Sequence, residues 1–119
     1  MERNKVLGQK GEALARKYLR ASGYELIAAN YKSGYPEIDI IAKDKSNLVF
    51  VEVKTRIKTP ESTHENPLLK WQTKTIKRAI LDYAYKKSLD LEALRLDLIV
   101  ILVDQKTKQA ELKHYRDVF

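Results

Sequence analysis

The stretch Tyr35–Arg56, YPEIDIIAKDKSNLVFVEVKTR, limits the fold more than any other part of the chain. Two apolar runs flank a polar turn, and Glu37, Asp39, Glu52 and Lys54 interrupt them. Charged groups inside strands this apolar cost free energy unless something pairs with them. Strand alternation over 36–43 puts Glu37, Asp39 and Ile41 on one face, with Ile38, Ile40 and Ala42 on the other. Over 48–55 it groups Leu48, Phe50, Glu52 and Lys54 against Val49, Val51, Val53 and Thr55. Asp44-Lys45-Ser46-Asn47 is a run of turn-forming residues. A hairpin centred on Lys45-Ser46 sets Asp39 opposite Glu52 and Glu37 opposite Lys54, with β-carbons roughly 4.5–5.5 Å apart. A slip of one residue would scatter the four charges, so their gathering depends on this register.

The remaining elements follow from periodicity. Residues 3–22 predict a helix: Leu7, Gly11, Leu14, Ala15, Tyr18, Leu19 and Ser22 recur at helical spacing, and Gly23 suits a left-handed cap. Glu12 falls at the edge of that stripe. Residues 24–31 predict a short strand, and Ser33-Gly34 a turn before Pro36. After a polar loop over 57–66, Asn66-Pro67 is a good helix start. Residues 67–88 then form a helix with Leu69, Thr73, Ile76, Ala79, Ile80 and Tyr83 inward. Residues 95–104, RLDLIVILVD, are apolar on both faces and therefore central, with Arg95 and Asp97 alternating onto one face as a candidate ion pair. A last strand covers 110–116. The strand–helix–strand unit over 48–104 makes its two strands parallel with a right-handed crossover. The expected fold is a single α/β domain over 1–119, with a mixed sheet of about five strands flanked by helices.

The 119 residues suit one core, and 44% hydrophobic content allows it to form without staples. The absence of cysteine excludes a disulfide framework, a cysteine zinc site and a thiol nucleophile. The charged N-terminus lacks an apolar signal core, and no run reaches a membrane-spanning length, so the expectation is a soluble, cytoplasmic protein. A net charge of +7 points to a polyanion such as nucleic acid. Carboxylates clustered in a basic chain need a local purpose.

Phosphodiester hydrolysis supplies one. It needs an activated water and neutralisation of phosphate charge, and a hard divalent cation held by carboxylate oxygens provides both. Asp39 and Glu52 are the natural ligands, with Lys54 placed to stabilise developing charge. A charge ladder on a wet strand face is the competing explanation. Leu48 and Phe50 weigh against it, because they share the face of Glu52 and require it to be partly buried. For Glu12, spacing alone points to a solvated acid in the first turns of a helix. His64 and His114 have no metal-site spacing. Trp71 and Tyr85 could stack bases but also suit packing.

GEALARKYL at 11–19, PEIDIIA at 36–42 and FVEVKTR at 50–56 resemble the PD-(D/E)XK nuclease superfamily. More closely, the chain resembles the YraN-type family of uncharacterised bacterial proteins, similar to archaeal Holliday-junction resolvases. RLDLIVI at 95–101 and HYRDVF at 114–119 extend the likeness over nearly the whole chain. The resemblance implies a restriction-endonuclease-like domain and a Mg²⁺- or Mn²⁺-dependent endonuclease acting on DNA, including branched or structured DNA. It implies Asp39 and Glu52 as metal-binding acids, Lys54 as the catalytic lysine, and Glu12 as an outer acid from the first helix. Glu37 matches a frequent family residue of auxiliary standing. Arg56, Gln72, Lys74, Lys77 and Arg78 are candidates for contact with nucleic acid, and a homodimer is compatible with cutting two strands. Two departures stand out: Pro36 where the family usually has glycine, and Gln72 where it tends to have lysine. A non-cutting nucleic-acid-binding module and an RNA-processing nuclease remain open alternatives.

Overall fold

A computed structural model describes residues 2–32, 37–60 and 70–118. Its elements are α1 (Glu2–Ala21), β1 (Glu25–Tyr31), β2 (Ile38–Asp44), β3 (Asn47–Ile57), α2 (Lys70–Lys87), a short 3-10 turn (Leu91–Ala93), β4 (Leu94–Asp104) and β5 (Gln109–Tyr115). The predicted turn at Ser33-Gly34, Pro36, His64 and the proposed cap Asn66-Pro67 lie outside the described residues, as do the side chains of Trp71, Gln72 and Thr73.

The five strands form one sheet in the order β1-β2-β3-β4-β5. Neighbours pair antiparallel except β3 and β4, which run parallel from Leu48↔Leu94 to Ile57↔Val103. This is the predicted strand–helix–strand unit. The β2–β3 register runs from Asp44↔Asn47 to Ile40↔Val51 and matches the hairpin centred on Lys45-Ser46. Lys45 takes φ +56, as a tight two-residue connection demands. β4 is buried without interruption from Leu96 to Leu102, a stretch that is apolar on both faces apart from Asp97.

Each face of the sheet carries a helix. Ala15 and Leu19 of α1 pack with Ile40, Ala42, Val49, Val51, Val53, Ile99 and Ile101. Ile76, Ile80 and Tyr83 of α2 pack with Ile41, Phe50 and Leu96 on the other side. A mixed five-stranded sheet covered in this way is compatible with a restriction-endonuclease-like architecture. Tyr83 meets Phe50 and Tyr31 edge-on, with ring centroids 5.5 and 5.0 Å away. Among the described residues, no helix is long and apolar enough to cross a membrane.

α1 stops where the sequence indicated. Gly23 adopts φ +93, and the Tyr24 N–H reaches back to the Leu19 carbonyl at 2.9 Å. Gly11 serves a different need. A β-carbon built there would stand 1.8 Å from Thr55 Oγ1, so α1 can lie this close to β3 only because the side chain is missing. Two side chains depart from the sequence expectation. Leu14 is exposed, because the buried stripe of α1 narrows to Gly11, Ala15 and Leu19. Ile38 packs with Ile41 and Phe50 on the α2 side rather than with Ile40, since it lies beyond the last recorded β2–β3 pair.

Candidate functional site

The acidic site forms where the β2–β3 pairing ends. The last recorded pair is Ile40↔Val51. Two residues further along β3, the Val53 N–H donates to the Asp39 side chain, to Oδ2 at 2.9 Å, and not to a carbonyl of β2. The carboxylate thus stands in for backbone at a fork between two strands. Glu52 lies beside it, buried to 8% exposure, and the two carboxyls share a hydrogen bond.

Burial dominates the electrostatics of this pair. Removal from water, then the charge of Asp39, pushes Glu52 up to about 8. Asp39 is also raised by burial, and the bonds from Val53 and Glu52 moderate the rise. Two carboxylates this close cannot both ionise cheaply, so the pair keeps a proton at neutral pH. Lys54 is the neighbouring cation, with Nζ 3.7 Å from Glu52 Oε2, and it offsets only part of that cost.

Glu12 approaches from α1. Its pKa is raised, first by burial and then by Asp39 and Glu37, while Arg16 works the other way. A groove of about 420 Å³ runs past it, lined by Leu7, Gly8, Val53, Lys54, Thr55 and Arg56 among others. Thr55 Oγ1 is buried there, against Gly11, with no hydrogen-bond partner among the described residues.

Most of the residues singled out by sequence are therefore neighbours. Asp39, Glu52 and Lys54 meet at the fork, and Glu12 faces them. The expected opposition of Glu37 and Lys54 gives way to other contacts, because Glu37 precedes β2. With its amide nitrogen turned toward the acids, Asn30 donates to Glu12 Oε1 at 2.8 Å and to Glu37 Oε1 at 2.9 Å. Sequence reasoning placed Asn30 within the strand 24–31 and gave it no role. Its only signal was an asparagine at a strand end, where a left-handed backbone is tolerated. Arg56 is exposed and donates to its neighbour's carbonyl, Thr55 O, at 2.9 Å. Lys74, Lys77 and Arg78 are exposed on α2, along a groove of about 670 Å³. Tyr85 is 87% exposed, so it does not serve the core.

The donor set can be tested against a divalent ion. Among the described residues, no three acidic or histidine side chains stand at the spacing of a closed metal cage. Two buried carboxylates that retain a proton for want of positive charge form an open set. That suits Mg²⁺, which binds through one or two carboxylates and keeps several waters or substrate oxygens.

A second buried acid lies on the other face. Glu52 is in register with Leu98, and Asp97 with Val51, so the two acids are back to back across the sheet. Asp97 is fully buried. It accepts from Arg95 Nε at 2.9 Å, Arg95 Nη2 at 3.1 Å, His114 Nε2 at 2.6 Å and the Asp117 N–H at 3.0 Å. With Nε2 donating, His114 Nδ1 accepts from the Tyr18 hydroxyl at 2.9 Å. Arg95 also reaches Asp44 at 3.1 Å and the Tyr24 hydroxyl at 2.7 Å. Burial alone would raise Asp97, but these donors outweigh it and hold its carboxyl below the ordinary range.

Comparison with known proteins identifies the family. The model of the uncharacterised protein family UPF0102 matches residues 11–101, from the middle of α1 to near the end of β4. A UPF0102 protein of Christiangramia forsetii is 38% identical over 120 residues, covering 100% of this chain and 98% of its own. One from Geotalea daltonii is 35% identical over 116 residues, covering 98% and 91%. One from Rhodococcus opacus is 34% identical over 119 residues, with 100% of both chains covered.

Proposed function

The chain belongs to the uncharacterised protein family UPF0102, the YraN-type family, and from that premise we propose that it is a metal-dependent endonuclease that hydrolyses phosphodiester bonds in DNA. One observation carries the reading. Asp39 and Glu52 are held together out of water at a fork in the sheet, with raised pKa values and one lysine beside them. A fold gains nothing in stability from such a pair. A divalent cation gives it a purpose.

Asp39 and Glu52 would hold Mg²⁺ or Mn²⁺, with Glu12 as an outer acid. Bound there, the ion would neutralise phosphate charge and acidify a water. The protein's own groups do the rest. Lys54, 3.7 Å from Glu52, carries positive charge to the phosphate oxygens as negative charge builds on them. Val53 fixes Asp39 through its N–H. Arg56, Lys74, Lys77 and Arg78 present charge to the backbone phosphates, which position a strand without reading its sequence. Gln72, on α2, belongs to the same proposed contact surface. Two copies would place two such sites on branched DNA.

The test is direct. The protein is incubated with linear, flapped, single-stranded and four-way DNA, and with structured RNA, in Mg²⁺, Mn²⁺ or EDTA. Asp39→Asn and Glu52→Gln run alongside. Metal-dependent cleavage of DNA that both substitutions abolish is the expected result. Cleavage that ignores EDTA or survives both changes would sink the assignment, and cleavage confined to RNA would move the substrate class.

A further inference from the structure

We infer that Asn30 is a positioning residue of the acidic site: its side-chain amide ties Glu12 of α1 to Glu37 and so fixes the carboxylate that α1 offers to the cation. The inference rests on the function proposed above and adds a residue that the sequence motifs do not contain.

The geometry comes first. The Asn30 amide end stands 2.8 Å from Glu12 Oε1 and 2.9 Å from Glu37 Oε1, and only with its nitrogen turned toward them does it donate to both rather than oppose two acceptors with a third. Two carboxylates converging on one point repel each other, and an amide has exactly two N–H groups to bridge them. Glu12 and Glu37 belong to segments that do not adjoin in sequence. Glu12 lies in α1, whereas Glu37 leads into β2, the strand that carries Asp39. The amide therefore links the helix to the strand at the level of the acids. Among the charges acting on Glu12, that of Asp39 is the largest.

The backbone gives the second, independent reason. Asn30 has φ +51 although it lies within β1. Most residues avoid this left-handed region, and only glycine and asparagine visit it readily. Its neighbours Ala29 and Tyr31 pair with Ile40 and Ile38, so the twist is confined to one residue between two paired ones. The ladder also slips between Leu26 and Ala28. Asparagine holds this conformation at low cost, so the strand can break its alternation here without losing the pairs on either side. Here it sends an amide toward two acids that would otherwise meet unbridged.

The backbone conformation also supplies the control. Asn30→Gly keeps the left-handed φ and deletes the amide. Asn30→Asp keeps the shape and replaces two donors with a third carboxylate. Mn²⁺ binding to the full-length protein is measured by calorimetry, without substrate, for wild type, both variants, Glu12→Gln and the Asn30→Gly/Glu12→Gln double variant. Melting without metal is recorded for each. Loss of a hydrogen bond that orients a metal-site acid weakens metal binding by about 10- to 100-fold. That loss is expected in Asn30→Gly, with unchanged metal-free melting, and at least as much in Asn30→Asp. Asn30→Gly should weaken binding no further once Glu12 is glutamine. Wild-type binding with Asn30→Gly within twofold of it overturns this inference alone, as does an undiminished effect in the Glu12→Gln background. No Mn²⁺ binding by wild type overturns the inference together with the reading on which it rests.

Discussion

Asp97 and Glu52 stand back to back on neighbouring strands, both buried, yet their surroundings push them in opposite directions. Asp97 receives four hydrogen bonds, three of them from Arg95 and His114, and its carboxyl lies below the ordinary range. Glu52 has another acid as its neighbour and a lysine at 3.7 Å, and it is pushed up to about 8. Burial is common to both, so burial alone does not set the outcome. The donors do. The Asp97 side is complete within the protein, which suits a structural role. On the Glu52 side, Lys54 offsets only part of the cost of burying two acids, which is how a site that awaits a ligand differs from a site that has all it needs.

The largest effect that could break this contrast belongs to Asp97. Asp97→Ala removes the buried carboxylate that Arg95 and His114 share, leaving the half-buried Arg95 with Asp44 and Tyr24, and should cost about 3–5 kcal/mol, read by urea denaturation. A loss below 1 kcal/mol would mean that the network is ornamental.

The next concerns pH. Without metal, folded Glu52 keeps its proton up to about 8, whereas the unfolded chain releases it near 4.5. The folded state then binds more protons than the unfolded state across this window, so stability falls as pH rises from about 4.5 to 8. The drop should be on the order of a few kcal/mol. Glu52→Gln should flatten it, and Mn²⁺ at pH 8 should restore the lost stability. Thermal melts across pH give the answer, and an identical slope in Glu52→Gln would refute the cause assigned here.

A smaller loss is expected at Gly11. Its β-carbon would meet Thr55 Oγ1 at 1.8 Å, so Gly11→Ala must push α1 away from β3. Overpacking of this kind costs about 1–3 kcal/mol. Thr55→Ala in the same chain should recover part of it. Full stability of the single variant would show that α1 is free to move.

The smallest effect is at the rim of the satisfied network. Tyr18→Phe removes one hydrogen bond to His114 and should cost about 1 kcal/mol by denaturant titration. It should leave Mn²⁺ binding on the far face unchanged. A change in metal affinity would show that the two faces are coupled.

Much of this arrangement could be read from the residues. Alternation over 36–43 and 48–55 and the turn at Lys45-Ser46 fixed the register, and the register brought Asp39 to Glu52. The apolar run of β4 marked it as internal, and the Arg95–Asp97 pair followed from their sharing one strand face. What stayed hidden needed contacts between distant segments. His114 and Tyr18 complete the Asp97 network from β5 and α1, and no local pattern links them. The fork at Asp39 was hidden because alternation assumes that a strand pair continues, and Ile38 turned to the other face for the same reason. Asn30 was correctly placed in a strand but given no role, because that role depends on a left-handed backbone that regular alternation does not anticipate.

The bond from Val53 to Asp39 has one more consequence. Oδ2 of Asp39 is already engaged by the backbone of β3 at 2.9 Å. A carboxylate oxygen has two lone pairs, so Oδ2 can keep this bond while the group also serves a cation. Losing the bond would strand a buried N–H at the fork, at a cost of about 1–3 kcal/mol. The sheet thereby sets the direction in which Asp39 points before any ion arrives.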